Sequence, residues 1–387
     1  MKLAIRSREA WLFAAALAFS YLVLHARSLG FGYFDDDYYQ DSQTWQTVVE
    51  AIKSDPQFRP IFWLLFPLTS SALGNTPFAH HLVNHALHLA NCVLAFFVLR
   101  PRIGERRAGI AVLAWNMLPQ LAFSLGWIAE RNDPLFTIFL LSSILLHDQG
   151  HKWLAWPMAV GSFLSKVTAV AFPLAFATKY GLRRYPGDRA AGLTLFATFA
   201  IVSFAAAHDD GLQSHLQGLG WAMLALNAVK NFILAIVTWW VPIPFLGGPL
   251  EIAGWVLCLA ATGWLLIVHG KRDAQIVSLA LIALLLALPC AKTPQLRITY
   301  TMSLFIVAAV VGAIRPGVAD LRFKGAAWAA LLGLACYAIP ATTKTLNAFD
   351  SNVRDVSEVD PSQDANDAYP VPFYPWFRAQ QERLLGQ

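Results

Sequence analysis

The chain has 387 residues, of which 57% are hydrophobic and only 14% charged, with a formal net charge of +5 and a mean hydropathy of +0.49. Soluble domains carry about a quarter of their residues as charges, so this balance excludes an ordinary soluble domain and predicts a polytopic membrane protein. The modest positive charge needs no nucleic acid, because membrane proteins gather Lys and Arg in their cytoplasmic loops.

The first apolar segment, 9–27, begins beside Lys2, Arg6 and Arg8. No small-residue cleavage site follows it and more apolar segments come after, so it reads as a retained span rather than a signal peptide. Further segments long enough to cross, or nearly cross, a hydrocarbon core of ~30 Å fall at 78–99, 108–125, 134–147, 152–164, 167–180, 190–206, 251–269, 274–290, 298–314 and 324–341. The stretch 221–240 is also apolar but runs into "TWWVPIPFLGGP".

With a cytoplasmic N-terminus, the basic loops "RPRIGERR" (100–107), "KYGLRRYPGDR" (179–189), "GKRD" (270–273) and "RPGVADLRFK" (315–324) should be cytoplasmic as well. A full crossing at 221–240 would put "GKRD" on the wrong side. We therefore expect 207–250 to be one external segment with a re-entrant or interfacial helix, which suits its tryptophans and prolines. The expected architecture is all-α and polytopic, with about eleven transmembrane helices over 1–341. The first external loop is 28–77, and a short, net acidic external tail covers 342–387. Cys92, Cys258, Cys290 and Cys336 lie inside apolar runs without metal-type spacing and read as small buried hydrophobes.

This topology gathers polar residues from separate loops onto the external face. "FDDDYY" (34–39) brings Asp35, Asp36 and Asp37 to the edge of the first span. Carboxylates near a bilayer are costly and tend to mark function, and three side by side repel one another unless protonated, paired or metal-bound. An acidic solvated loop is the plainer reading. Asp35 and Asp37 make a DxD pattern that can hold a divalent cation, Mg or Mn, through oxygen ligands, and Asp36, Asp37 and His81 are the candidate metal ligands.

In "HHLVNHALHLAN" (80–91), four of the chain's ten histidines fall within nine residues. At 100° per residue His80, His81, Asn84, His85 and His88 share an arc of about 140°, with Asn91 inside it. Such a stripe must face protein or a water-filled cavity rather than lipid. His85 and His88 lie deeper and are expected to hydrogen-bond neighbouring helices; His80, His81 and Asn84 are site candidates near the external face. The pair His81 and His85 also has zinc-ligand spacing. Arg59, Arg131, Lys166 and Arg297 sit at external helix ends, where excess positive charge is unexpected. Any one of them can snorkel to headgroups, but together, opposite an acidic cluster, they suit an anion such as a lipid phosphate. Asp133 and Glu130 can instead pair locally with Arg131. "HDQGHK" (147–152) reads as an ordinary cytoplasmic loop, and "YPVPFYPWF" (369–377) as an aromatic interfacial segment or docking site.

The order of these motifs resembles the GT-C glycosyltransferases, integral membrane enzymes that use polyprenyl-phosphate sugars. The chain runs through "FDDDYY", "RPIFW", "HHLVNHALH", "IAERNDPLF", "SKVTAVAFP" and "RITYTMS". That order is similar to the bacterial relatives of TMTC-type and protein O-mannosyltransferases, over about residues 9 to 314. Two departures stand out: Val167 replaces the glutamate usual after the "SK" lysine, and the tetratricopeptide repeats are missing. The resemblance implies that a sugar passes, with inversion, from a polyprenyl-phosphate donor to an acceptor hydroxyl on a protein, lipid or glycan. The site would face the periplasm from a bacterial inner membrane. It places the general base on Asp35, with Asp36 beside it. The departing phosphate would be held by Arg297, Lys166 and Arg131, with His80, His81 and Asn84 shaping the sugar or acceptor pocket. A transporter or flippase of lipid-linked saccharide, and a non-catalytic membrane partner with the same fold, are the alternatives.

Overall fold

The computed structural model describes residues 8–32, 37, 43–55, 57–178, 181–206, 263, 273–287, 299–313, 338–340, 342–343 and 346–347. Among these the chain is helical, with no strand. The helices are α1 (Arg8–His25), α2 (Val48–Ser54), α3 (Pro60–Leu73), α4 (Pro77–Ile103), α5 (Glu105–Asn116) and α6 (Leu121–Gly126). They continue as α7 (Asn132–Asp148), α8 (Lys152–Ser165), α9 (Leu174–Ala177), α10 (Asp188–Ala206), α11 (Ala274–Ala287) and α12 (Tyr300–Ala313). Short 3-10 turns follow α1 (Ala26–Gly30), precede α7 (Ile128–Arg131) and follow α8 (Val167–Ala171).

By length and composition, Trp11–Gly30 and Pro77–Ile103 are long and apolar enough to cross a membrane, and several shorter apolar helices accompany them. The expected segment 108–125 is two helices, α5 and α6, because Pro119 cannot donate the amide an uninterrupted helix needs. The expected segment 167–180 is a 3-10 turn and the single turn α9, broken at Pro173 for the same reason. The loop 28–77 holds the helices α2 and α3, the latter with Pro60 at its first position, where a missing amide costs nothing. The segment 221–240 and the "YPVPFYPWF" stretch lie outside the described residues, as do 251–269 apart from residue 263 and 324–341 apart from 338–340.

Burial is inverted relative to a water-soluble helix bundle. On α1 and the turn after it the buried stripe Leu17, Ser20, Tyr21, Leu24, His25 and Ser28 carries four polar side chains, while Trp11, Leu12, Phe19, Leu22 and Val23 are exposed. On α4 the buried face holds His80, His81, Asn84, His85, His88 and Asn91, and the outer face shows Phe78, Leu82, Leu89 and Val93. Both helices follow the 3.6-residue period with polarity reversed.

Thr76 caps α4, its hydroxyl accepting from the Ala79 amide at 3.2 Å, with Pro77 at the first helical position. At the other end Gly104, at φ 86°, closes the helix and turns the chain directly into α5, a backbone conformation that glycine reaches without strain. From His80 to Arg102 the rise of 1.5 Å per residue makes about 33 Å. The two ends of this helix serve to mark the two ends of the described bundle.

α7 and α8 pack as a close antiparallel pair. α8 starts beside the Arg102 end, where the Lys152 ammonium lies 3.8 Å over the Tyr185 ring. Its far end meets α7 at the Lys166–Asp133 pair. The chain then doubles back through Val167–Ala171 and α9. Phe176 packs on His147 and Trp156, and the return leg ends at Asp188, which pairs with His147. Residues 152–188 therefore enter and leave at the Arg102 end, with Lys166 at the tip of the hairpin. At the opposite end Leu346 is buried with Phe31, Phe123 and Trp127.

Candidate functional site

The chain at Ser124–Arg131 runs from the end of α6 through Trp127 into a 3-10 turn, and it lies inside the bundle, where carbonyls left over at helix ends need donors. The polar stripe of α4 supplies them. Asn84 Nδ2 donates to the carbonyls of Ser124, Trp127 and Ile128 at 3.2–3.4 Å. His81 Nδ1 lies 3.1 Å from the Leu125 carbonyl, and its Nε2 lies 3.4 Å from that of Gly32. One helix face thus fixes the junction between α6 and the 3-10 turn.

The other end of that segment is fixed by the acidic motif. Asp37 is fully buried and accepts from the backbone amides of Ala129 at 2.7 Å and Ile128 at 3.3 Å, the first residues of the 3-10 turn. A carboxylate at the start of a helical turn satisfies orphan amides and complements their partial positive charge. "FDDDYY" is therefore tied directly to "AERND".

Arg131, at the end of that turn, is fully buried. Its Nε donates to Asn84 Oδ1 at 3.2 Å, and one terminal nitrogen reaches His80 Nδ1 at 3.0 Å and the His80 carbonyl at 3.2 Å. The guanidinium also lies 4.2 Å over the Phe66 ring of α3, a cation–π contact. Because His80 Nδ1 accepts from Arg131, its Nε2 carries the proton and points to Asn75 Oδ1 at 3.2 Å and Ser70 Oγ at 3.4 Å.

Two residues on, Asp133 is fully buried in the first turn of α7 and forms an ion pair with Lys166 Nζ at 2.6 Å. Glu130 is within hydrogen-bond reach of Asp133 as well. Lys166 lies where α8 ends and its own backbone is extended, so the lysine caps the break in the hairpin. Asp133 is about 22 Å along α7 from Asp148, against about 33 Å from Arg102 to His80 on α4. The Glu130–Asp133–Lys166 cluster is thus recessed roughly 10 Å below the His80 end.

Beneath it runs a second polar group. Tyr300 donates to His88 Nδ1 at 2.6 Å, His88 Nε2 donates to Asn116 Oδ1 at 3.0 Å, and Asn116 Nδ2 donates to Ser20 Oγ at 2.9 Å. Tyr21 and Ser28 hold the two nitrogens of His85, and His25 Nε2 donates to the Asn116 carbonyl at 2.9 Å. His85 and His88 each bond to neighbouring elements, which is what joins α1, α4, α5 and α12 across an otherwise apolar core.

Of the predicted site residues, the structure brings together Asp37, His80, His81, Asn84, Arg131, Asp133 and Lys166. Arg59 is elsewhere. Its guanidinium pairs with Asp55 at 2.9 Å and lies over the Phe62 ring, so it closes a local turn. Asp35, Asp36 and Arg297 fall outside the described residues. Among the described residues no three His, Cys, Asp or Glu converge as metal ligands. Of the candidate ligands, Asp37 gives both oxygens to amides and His81 has both nitrogens against carbonyls. The sequence reading passed over the role of Glu130 beside Asp133, for which its position three residues earlier on the same chain turn was the available signal. It passed over Tyr300 too, whose hydroxyl meets His88, 212 residues earlier in the sequence.

No protein-family model, curated protein or solved structure matches the chain.

Proposed function

We propose that the chain is a polytopic integral membrane glycosyltransferase of GT-C type, with about eleven crossings and its site on the periplasmic side. The observation that carries this reading is the meeting of three motifs far apart in sequence: Asp37 of "FDDDYY" on the amides of Ile128 and Ala129, and Asp133 of "AERND" on Lys166 of "SK". Membrane residence is supported by the inverted burial of α1 and α4. Exposed Trp, Phe and Leu carry no cost in lipid, whereas polar groups must pair inside. The ~33 Å between the two polar ends of α4 matches a hydrocarbon core of ~30 Å.

In the proposed reaction Asp35, with Asp36 as the rival, removes the proton of the acceptor hydroxyl. The acceptor oxygen forms a bond to the anomeric carbon as the carbon–oxygen bond to the lipid phosphate breaks, and the bonding pair leaves with the phosphate. Inversion follows from attack opposite the leaving group. Phosphate needs little proton assistance to depart but gains from positive charge already in place. Lys166, Arg131 and Arg297 are assigned that role.

One observation favours a second reading. The His25, His85, His88, Asn116 and Tyr300 group lies at mid-depth, where a transporter of lipid-linked saccharide would need polar groups. These side chains mostly bond to one another, however, which suits packing better than a pathway. The test is mass spectrometry of surface glycans from a deletion strain and from one expressing Asp35→Asn at normal membrane levels. A sugar missing in both supports the transferase with its assigned base. A glycan restored in full by Asp35→Asn removes that base assignment, and an unchanged profile in the deletion removes the transferase reading.

A further inference from the structure

We propose that Asp133 is an internal counter-ion that competes with a lipid-linked phosphate for Lys166, setting how firmly donor is held and how readily product phosphate leaves. This rests on the transferase reading above. The ammonium of Lys166 has three N–H donors. Asp133 lies 2.6 Å from it as an ion pair, the Phe136 ring lies 5.9 Å away, and no further acceptor reaches it among the described residues. A largely buried ammonium that keeps donors free gains less from a purely structural pair than one that uses them all. Spare capacity of this kind suits a second anion that comes and goes.

Asp133 is itself suited to yield. Glu130 lies within hydrogen-bond reach of it, so Asp133 stands between a second carboxyl and the ammonium. Neither carboxyl can hold full charge as comfortably as it would alone with Lys166. A phosphate offers more acceptor oxygens than a carboxylate and can take the unused N–H groups. Once there it is repelled by Asp133, which weakens the hold on the departing phosphate after transfer. The tip of the α8 hairpin thus presents a cation whose affinity is limited by design of its own partner.

The test uses the full chain in detergent or nanodiscs, with decaprenyl phosphate, inorganic phosphate and decaprenol as probes of binding. We expect Asp133→Asn to bind decaprenyl phosphate on the order of tenfold tighter than wild type, with slower turnover from retained product, and Asp133→Glu to bind as wild type does. Lys166→Ala should lose binding, and adding Asp133→Asn to it should recover none. Asp133→Ser repeats the neutral substitution should Asp133→Asn fail to fold. Unchanged or weaker binding in a monodisperse, helical neutral variant overturns the proposal, as does tightening that persists without Lys166. Equal affinity for inorganic phosphate overturns the lipid-linked part of it. If wild type binds no phosphate probe, the transferase reading falls as well; if wild type binds and the Asp133 variants do not respond, only this inference falls.

Discussion

The two ends of the bundle each bury an ionic cluster, and they differ in how completely the charges are used. At the Arg102 end Asp148 lies between two arginines, Arg102 at 2.6 Å and Arg184 at 3.0 Å. Asp188 there accepts from the Arg184 and Tyr185 amides and pairs with His147. Chain segments from α4, α7 and the start of α10 are clasped together. At the Arg131 end Lys166 pairs with the single carboxylate of Asp133, which is itself within hydrogen-bond reach of Glu130. The first cluster ties three elements together through shared carboxylates, whereas Lys166 keeps N–H donors that have no acceptor among the described residues.

The comparison is broken most directly by Asp148→Ala. It leaves the buried Arg102 guanidinium without its partner and frees the exposed Arg184, and removing one member of a buried pair costs about 3–5 kcal/mol. Thermal unfolding of the purified protein should show that loss. Unfolding like that of wild type would mean that the Arg102 end is no clasp. Lys166→Ala should cost less, about 2–3 kcal/mol, because Asp133 and Glu130 can then share one proton between two carboxyls. Its larger effect is expected on function, with transfer abolished in membranes that hold normal amounts of protein. Retained transfer would move Lys166 into the structural class with Asp148.

How far the sequence anticipates this follows from which interactions are local or periodic. The α4 stripe was visible because the 100° step alone puts His80, His81, Asn84, His85, His88 and Asn91 on one face. Its partner was not, since the carbonyls of Ser124, Trp127 and Ile128 carry no side-chain signature. The hairpin at Lys166 was visible as two short apolar segments around a polar break, but not that its second leg is a 3-10 turn and a single helical turn. Arg59 shows a local pairing that went unread. Its place at a helix start suggested an external anion site, and Asp55, four residues earlier, takes it instead. "HDQGHK" looked like an ordinary loop because Asp188 and Arg184, which engage His147 and Asp148, arrive from some forty residues on.

Asn84 sharpens the comparison from the side of the backbone. Asn84→Ala removes the donor to three carbonyls and the acceptor for Arg131 Nε. An expected loss of about 1–2 kcal/mol should come with faster amide exchange confined to 124–131. Exchange that quickens equally at both ends would show that α4 does not fix this segment separately.

The smallest effect is expected at Phe58, which has φ 48° in the turn before α3. L-residues with a Cβ avoid this region, and a bulky side chain there stores strain. The turn persists because Asp55 overdetermines it. Its carboxylate accepts from the Gln57 and Arg59 amides at 3.0 Å, from Arg59 Nε at 2.9 Å and from Trp63 Nε1 at 2.8 Å. Phe58→Gly relieves the backbone but gives up a half-buried ring and adds freedom to the unfolded chain, so the net change should lie within about 1 kcal/mol. Asp55→Ala, by contrast, should release the turn and free Arg59. If Phe58→Gly disturbs transfer as strongly as Lys166→Ala does, then the Asp55–Arg59 turn belongs to the binding cluster, and the reserve of donors at this end is larger than Lys166 alone.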